Sequence, residues 1–215
     1  MKILRTVTLM AALAAAAAGA SAQSPLTASK VFVEAPRQVF PLLDRNARLD
    51  MIDYFENGMT NTTANAMQGQ SAVTAISPLS LSVKMTDSSS YELDLLPTAK
   101  GDTLVMLIST VATPAPDSKI SIRSSDWRTD MTASAFTRPT LDQWLTDKGR
   151  DNKVEVEAFV PFLLISYSYD PSSAVLKLTN NTRQFLSSDI YETVAPYLLG
   201  EKSYRWNGKK FTPLK

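Results

Sequence analysis

Residues 79–85 read LSLSVKM, and the alternation is unbroken. Leu79, Leu81, Val83 and Met85 fall on one side, and Ser80, Ser82 and Lys84 on the other. Side chains of an extended chain alternate between faces, so this period of two commits the segment to a half-buried strand. A helix would mix the two sets. The polar TDSSS turns the chain, and YELDL resumes the alternation through Tyr91, Leu93 and Leu95. The two segments predict an antiparallel hairpin. TLVMLISTV, at 103–111, is apolar almost throughout, which predicts a strand covered on both faces. After the turn PAPDS, KISIR alternates through Ile120 and Ile122 as a fourth strand.

Helical segments bracket these strands. VFVEAPRQVFPLLDRNARLDMIDYFENGM reads as two helical pieces, with Pro36 suited to a first helical position and Pro41 interrupting or kinking the helix beyond Val39. Asp44 is the expected N-cap of the second piece and Gly58 its stop. Leu49, Ile52, Phe55 and Met59, with Met51 at the edge, form the stripe expected to dock. TNTTANAMQGQSAVTA reads as a loop. In the second half, RPTLDQWLTDKG predicts a short helix capped by Thr140 and stopped by Gly149. KVEVEAF, FLLISYSY and AVLKLTN read as strands, the last two joined at DPSS. RQFLSSDIYETVAPYLL reads as a helix cut by Pro196. SYRWNGKKFTPL reads as a hairpin on a two-residue Asn207-Gly208 turn, with Tyr204 and Trp206 packing across the strands. Hairpins dominate and no βαβ alternation occurs. The expected fold is therefore α+β: an antiparallel sheet of about seven to nine strands with the N-terminal helices on one face. The similar hairpins VKMTDSSSYELDLL and ISYSYDPSSAVLKL raise a division of the 23–215 domain into related halves, 30–138 and 139–215. Convergent turn chemistry explains the likeness equally well.

Residues 1–22 have the layout of a signal peptide. Lys2 and Arg5 start it, about a dozen apolar residues follow, and Ala20-Ser21-Ala22 supplies the small-x-small site, with cleavage expected after Ala22. The apolar run is shorter than the roughly 20 residues a membrane span needs, and no later stretch is longer. The mature chain is expected to be exported to the periplasm or the cell exterior. Of 22 basic residues two lie in the leader, against 21 acidic ones. That balance argues against a nucleic-acid partner, which calls for a basic surplus on one face. With no Cys in the chain, stability must come from a buried core.

The absence of both His and Cys removes Ser-His-Asp triads, Cys-His pairs and the usual zinc sites. Glycine-rich phosphate loops, the GxSxG elbow and the calcium-loop pattern are also missing. No catalytic residue, cofactor or metal ligand is therefore assigned. In NARLDMIDYF, Asp50 and Asp53 are neighbours three residues apart, with Arg48 just before them. A catalytic carboxylate pair needs a cleft and one member with its pKa raised by burial. These two lie on the helix face away from Leu49, Ile52 and Phe55 and are expected to meet water, with Arg45, Arg48 and Asn57 as solvated or pairing neighbours. A Ser82–Lys84 dyad would need a desolvated lysine, which the polar side of a strand does not provide. Trp127, in the irregular SSDWRTD, is either an anchor on a binding surface or a plug at one end of the core. Trp127, Arg48, Asp50 and Asp53 form the candidate interaction surface.

PLLDRNARLDMIDYFENGM, LLPTAKGDTLVMLISTV, TPAPDSKISIRSSDW and YRWNGKKFTPLK together resemble, in the same order, a family of exported Bacteroidales proteins catalogued as a domain of unknown function. The resemblance runs over nearly the whole mature chain and transfers no functional residue. It implies a periplasmic or outer-surface location in an anaerobic gut or mouth bacterium. The helix-then-antiparallel arrangement also looks like folds used by small secreted inhibitors and ligand-binding modules. The expected function is a non-catalytic binding or interaction module whose partner is an unidentified protein or glycan of the envelope. The alternatives are a carboxylate-dependent hydrolase and a structural envelope component. The sequence sets no oligomeric state.

Overall fold

A computed structural model describes residues 25–214, so the expected leader and its cleavage site lie outside the described residues. The chain opens with α1 (Ala28–Glu34) and α2 (Arg45–Glu56). The Thr27 hydroxyl accepts the Lys30 N–H at 3.2 Å, and Asp44 Oδ1 accepts the Ala47 N–H at 2.8 Å. Each satisfies a donor that the first turn of a helix leaves free. Gly58, at φ +65°, ends α2 as expected. Pro36 ends a helix rather than starting one. A residue before proline is pushed out of the helical region, and Ala35 accordingly sits at ψ 142°.

The buried stripe of α2 is rotated from the expected one. Met51 is buried and Ile52 half-buried, but Leu49 and Phe55 are 40% and 37% exposed. The cause is Arg48, which is only 3% exposed. Its Nη1 donates to the Phe32 carbonyl at 2.9 Å and its Nε to the Asp44 carbonyl at 3.3 Å. The guanidinium also lies over the rings of Phe32 and Phe40. A cation that binds the end of α1 thus takes the position expected of a leucine.

Strands β1 (Thr63–Ala64), β2 (Gln70–Ile76), β3 (Ser80–Thr86), β4 (Ser89–Pro97), β5 (Thr103–Val111) and β6 (Asp117–Ser124) form one antiparallel sheet in chain order. The last four are the strands that the sequence predicts. The first two come from the segment expected to be a loop. Its polar residues are used inside: Asn65 Nδ2 donates to Ser71 Oγ and to the Met85 carbonyl, and Ser71 Oγ donates to the same carbonyl. Phe32, Phe40, Leu43 and Met51 pack against Leu81, Val83, Met85, Leu93 and Leu95 on one face of this sheet. β5 is covered on both faces, with Val105 and Leu107 toward the helices and Met106 and Ile108 toward a second layer.

Four short helices lead into that layer: α3 (Thr132–Ala135), α4 (Leu141–Trp144), α5 (Asp147–Asp151) and α6 (Lys153–Phe159). Thr140 and Gln143 cap α4 reciprocally. Gly149 lies within α5 and does not stop a helix; a Cβ there would collide with the carbonyl oxygen of Tyr197. KVEVEAF is α6 and not a strand. Val156 is buried while Val154 is 83% exposed, and Lys153 reaches Glu157 one turn on.

Next come β7 (Ile165–Asp170), β8 (Val175–Asn180), α7 (Thr182–Phe185), α8 (Ser188–Val194), a 3₁₀ turn (Ala195–Tyr197), β9 (Glu201–Trp206) and β10 (Phe211–Pro213). The strands form a second sheet ordered β10-β9-β8-β7. The α+β fold with antiparallel strands is as expected, its strands among the described residues divided between sheets of six and four. The DPSS turn holds as read: Asp170 accepts the hydroxyls of Ser172 and Ser173, which, Ser173 foremost, bring its pKa down to about 2. Trp206 pairs with Phe211, so the Asn207-Gly208 hairpin closes on four residues instead of two. Asn207 Oδ1 accepts the Lys209 and Lys210 N–H groups, and Gly208 takes φ +85°.

β7 is an edge strand whose outward N–H groups find side chains of the other sheet. Ile165, Tyr167 and Tyr169 donate to Asp117 Oδ1 at 2.9 Å, Ser118 Oγ at 3.1 Å and Glu92 Oε1 at 2.8 Å. An edge that would otherwise present free donors is thereby closed. Ile120, Ile122, Met106 and Ile108 of the large sheet pack with Tyr167, Leu176, Leu178, Tyr204 and Trp206 of the small one.

Candidate binding groove

The helix-covered face of the large sheet is built of rows that cross β4, β5 and β6. They are Tyr91–Ser109–Lys119, Leu93–Leu107–Ser121 and Leu95–Val105–Arg123. Each row is apolar or aromatic under the helices and polar at β6. The turn between α1 and α2 stops short of that polar end, which leaves a groove of about 470 Å³. Pro36, Gln38 and Val39 of the turn form one wall. Leu107, Ser109, Lys119, Ser121 and Arg123 form the floor, and Trp127 closes the far side.

The Trp127 wall is held by local hydrogen bonds. Ser124 Oγ donates to Asp126 Oδ1, which also accepts the Arg128 N–H, and the Trp127 N–H donates to the Ser124 carbonyl at 2.8 Å. The Ser124 hydroxyl foremost, then the Arg128 N–H, hold the Asp126 pKa below the ordinary carboxylate value. This closed turn puts Trp127 at φ +66°, a conformation unusual for a side chain of that size. Its burial compensates. The indole is 6% exposed, donates Nε1–H to the Val31 carbonyl at 3.3 Å and meets Phe40 edge to face. Of the two readings of Trp127, the core plug is realised, and the residue still borders the groove.

Arg123 is tied to this wall. Its Nη1 donates to the Trp127 carbonyl at 3.3 Å, and its Nη2 lies 3.5 Å from Asp130 Oδ2. Thr132, through its hydroxyl and its N–H, holds the Asp130 pKa down. Lys119 is exposed and has no carboxylate within 4 Å among the described residues. The groove thus offers one free and one partly satisfied cation, two hydroxyls, an amide and an apolar flank. No carboxylate lines it. Such a surface attracts an anion.

The other candidate residues lie elsewhere. Asp50 and Asp53 are exposed on α2, Asp53 Oδ1 accepting from Asn57 Nδ2 at 2.9 Å. Arg48 is buried in the helix packing, its pKa lowered by burial first and then by Arg45. None of the three borders the groove, so the structure does not bring them together with Trp127. Sequence reasoning passed over Lys119, Ser121 and Arg123 because the polar half of KISIR reads as ordinary solvent-facing strand.

It also passed over an acidic pair at the seam, of which Asp94 is buried and Glu92 half-buried. Glu92 and Asp94 point from β4 into the seam between the sheets, and Asp94 is 0% exposed. Neither borders the groove. Among the described residues no cluster of three potential metal ligands occurs, and no helix is long and apolar enough to cross a membrane.

Among solved structures, a domain of an uncharacterized protein from Porphyromonas gingivalis W83 is similar to this chain, with a TM-score of 0.75 at 17% identity, covering 86% of this chain and 96% of that one. At that identity the likeness establishes a shared fold alone. No curated protein matches. Residues 20–211 match the model of the family described as protein of unknown function, DUF3256, and the chain belongs to that family.

Proposed function

We propose that this protein is an exported, non-catalytic binding module of the cell envelope, and that it holds a carboxylate-bearing ligand in the β5–β6 groove. The observation that carries this reading is the groove's lining: Lys119 and Arg123 beside Ser109, Ser121 and Gln38, with no acidic side chain among them. An anionic group would sit between the two cations, hydroxyl and amide groups would take its polar flank, and Trp127 and Val39 its apolar one. Export rests on the positive start, the apolar run and the Ala-Ser-Ala site of residues 1–22. The absence of His and Cys from the chain and of carboxylates from the groove favours binding over hydrolysis.

Tri-galacturonate is a suitable probe because each ring carries a carboxylate beside hydroxyls. Titration followed by NMR is expected to shift the amides of Ser109, Lys119 and Ser121, with affinity falling as salt rises. Lys119→Glu is expected to weaken binding by at least about tenfold, since it replaces an attraction with a repulsion. Absence of groove shifts, or equal affinity in the variant, overturns the reading. Release of reducing ends from the probe would establish the hydrolase instead.

A further inference from the structure

Asp94 occupies a position that a charged carboxylate does not tolerate. It is 0% exposed, and neither of its oxygens makes a hydrogen bond of ordinary geometry. On β4 its neighbour on the same face is Glu92, close enough to share a hydrogen bond. On β3 the Ser80 hydroxyl faces it; Lys84, further along that face, is engaged with Asp87 at 2.7 Å. On β5 its cross-strand neighbours are Met106, opposite it, and Ile108, opposite Glu92. On β7 it meets Tyr169, whose phenol stays neutral because burial, and then Asp94 itself, push its pKa up to about 12. Asp170, at the end of β7, is occupied by Ser172 and Ser173, and Asp117 and Arg138 pair with each other near Tyr167. No cation lies within 4 Å of Glu92 or Asp94 among the described residues. Two adjacent charges in such a seam would be strongly unfavourable, and carboxylates so placed keep a proton between them.

We infer that the two sheets are joined by a proton-dependent latch: a single proton held between Asp94 and Glu92 keeps β7 on the large sheet, and its loss releases β7 at Tyr169. The Asp94 hydroxyl donates to the Glu92 carboxylate, whose Oε1 accepts the Tyr169 N–H at 2.8 Å. When that proton leaves, two like charges remain without a counter-ion. Glu92 is already partly exposed, but water reaches Asp94 only if the edge of β7 lifts. The electrostatics run the same way. Burial, and then the Glu92 charge, raise the Asp94 pKa to about 8, and burial raises Glu92 against the opposing Tyr169 N–H. An unfolded aspartate titrates near about 3.9. The proton's contribution is therefore complete below about pH 4 and lost as pH rises to about 8, on the order of tenfold in the closing equilibrium per pH unit.

Hydrogen exchange of the Tyr169 amide, expressed as protection over its intrinsic rate, reads the latch directly. Between about pH 6 and pH 8 the wild type should lose at least about tenfold in protection at Tyr169, while amides of β3 change less than about twofold. Asp94→Asn, which cannot ionise, should hold Tyr169 protection constant over the same range. A pH-independent wild type, or a variant with the wild-type decline, refutes the latch. So does a loss shared equally by β3, which would make the pair a determinant of the whole fold and not of β7. Should the variant fail to fold, a ¹³C titration of the Asp94 carboxyl in the wild type decides: a carboxyl ionised at pH 6 overturns the proposal, and one still protonated supports it.

Discussion

Replacing Arg48 tests whether a buried cation holds the N-terminal helices in place. Arg48 is 3% exposed and makes one good hydrogen bond, Nη1 to the Phe32 carbonyl at 2.9 Å, and one weak one, Nε to the Asp44 carbonyl at 3.3 Å. Its guanidinium lies 5.9 and 5.6 Å from the Phe32 and Phe40 ring centres. A charged hydrogen bond contributes about 1.5–3 kcal/mol, and a partly desolvated cation–π contact about 1 kcal/mol. Removing the charge returns part of this as desolvation no longer incurred. Arg48→Met, which keeps the packing volume, is thus expected to cost about 2 kcal/mol. Arg48→Ala adds an unfilled space and should cost about 3–4 kcal/mol. Urea unfolding measures both, and the Tm of Arg48→Met should fall by about 4–8 °C for a domain of this size. A methionine variant as stable as the wild type, or more so, would refute the reasoning. It would mean that the cost of burying the guanidinium outweighs the bonds it makes.

Two further substitutions probe how the layers are pinned. Gly149→Ala forces a Cβ against the Tyr197 carbonyl oxygen, so it should cost more than about 2 kcal/mol by thermal unfolding although alanine favours helix; a stabilised variant would exclude the close approach. Trp206→Phe removes the Nε1–H bond to the Pro97 carbonyl, 2.6 Å long, which ties β9 to the end of β4. A loss of about 2 kcal/mol in urea is expected, from the unpaired carbonyl and the smaller ring, and an unchanged midpoint would argue against that tie.

Strands with strict alternation, and the largely apolar β5, were legible because burial on one face or two leaves a direct imprint on the sequence. The Asp44 cap and the Gly58 stop were legible for a similarly local reason. α6 was not, since Lys-Val-Glu-Val-Glu satisfies a period of two, while the Lys153–Glu157 spacing equally suits a helix. β2 was hidden because Asn65 and Ser71 satisfy each other and the Met85 carbonyl inside the fold, a pairing that composition reports as polarity. The groove depends on how far α1 and α2 reach across the sheet, which no local pattern encodes. Asp94 was closer to reach. It stands opposite Met106 of a strand whose two faces are both apolar, so covering β5 entails covering Asp94 as well.

The way β7 ends the small sheet bears on the order in which the chain can fold. Its outward donors are completed by Glu92, Asp117 and Ser118, residues that precede it by 48 to 77 positions. Both sheets are meanders, so each strand needs mainly its predecessor and hairpins can form as the chain emerges. The large sheet can therefore assemble before the small one is synthesised, and it acts as a template with acceptors already in place. The reverse order has no such provision. A four-strand sheet formed first would carry a bare hydrogen-bonding edge, and the nearest partner for that edge would be the same edge of another molecule.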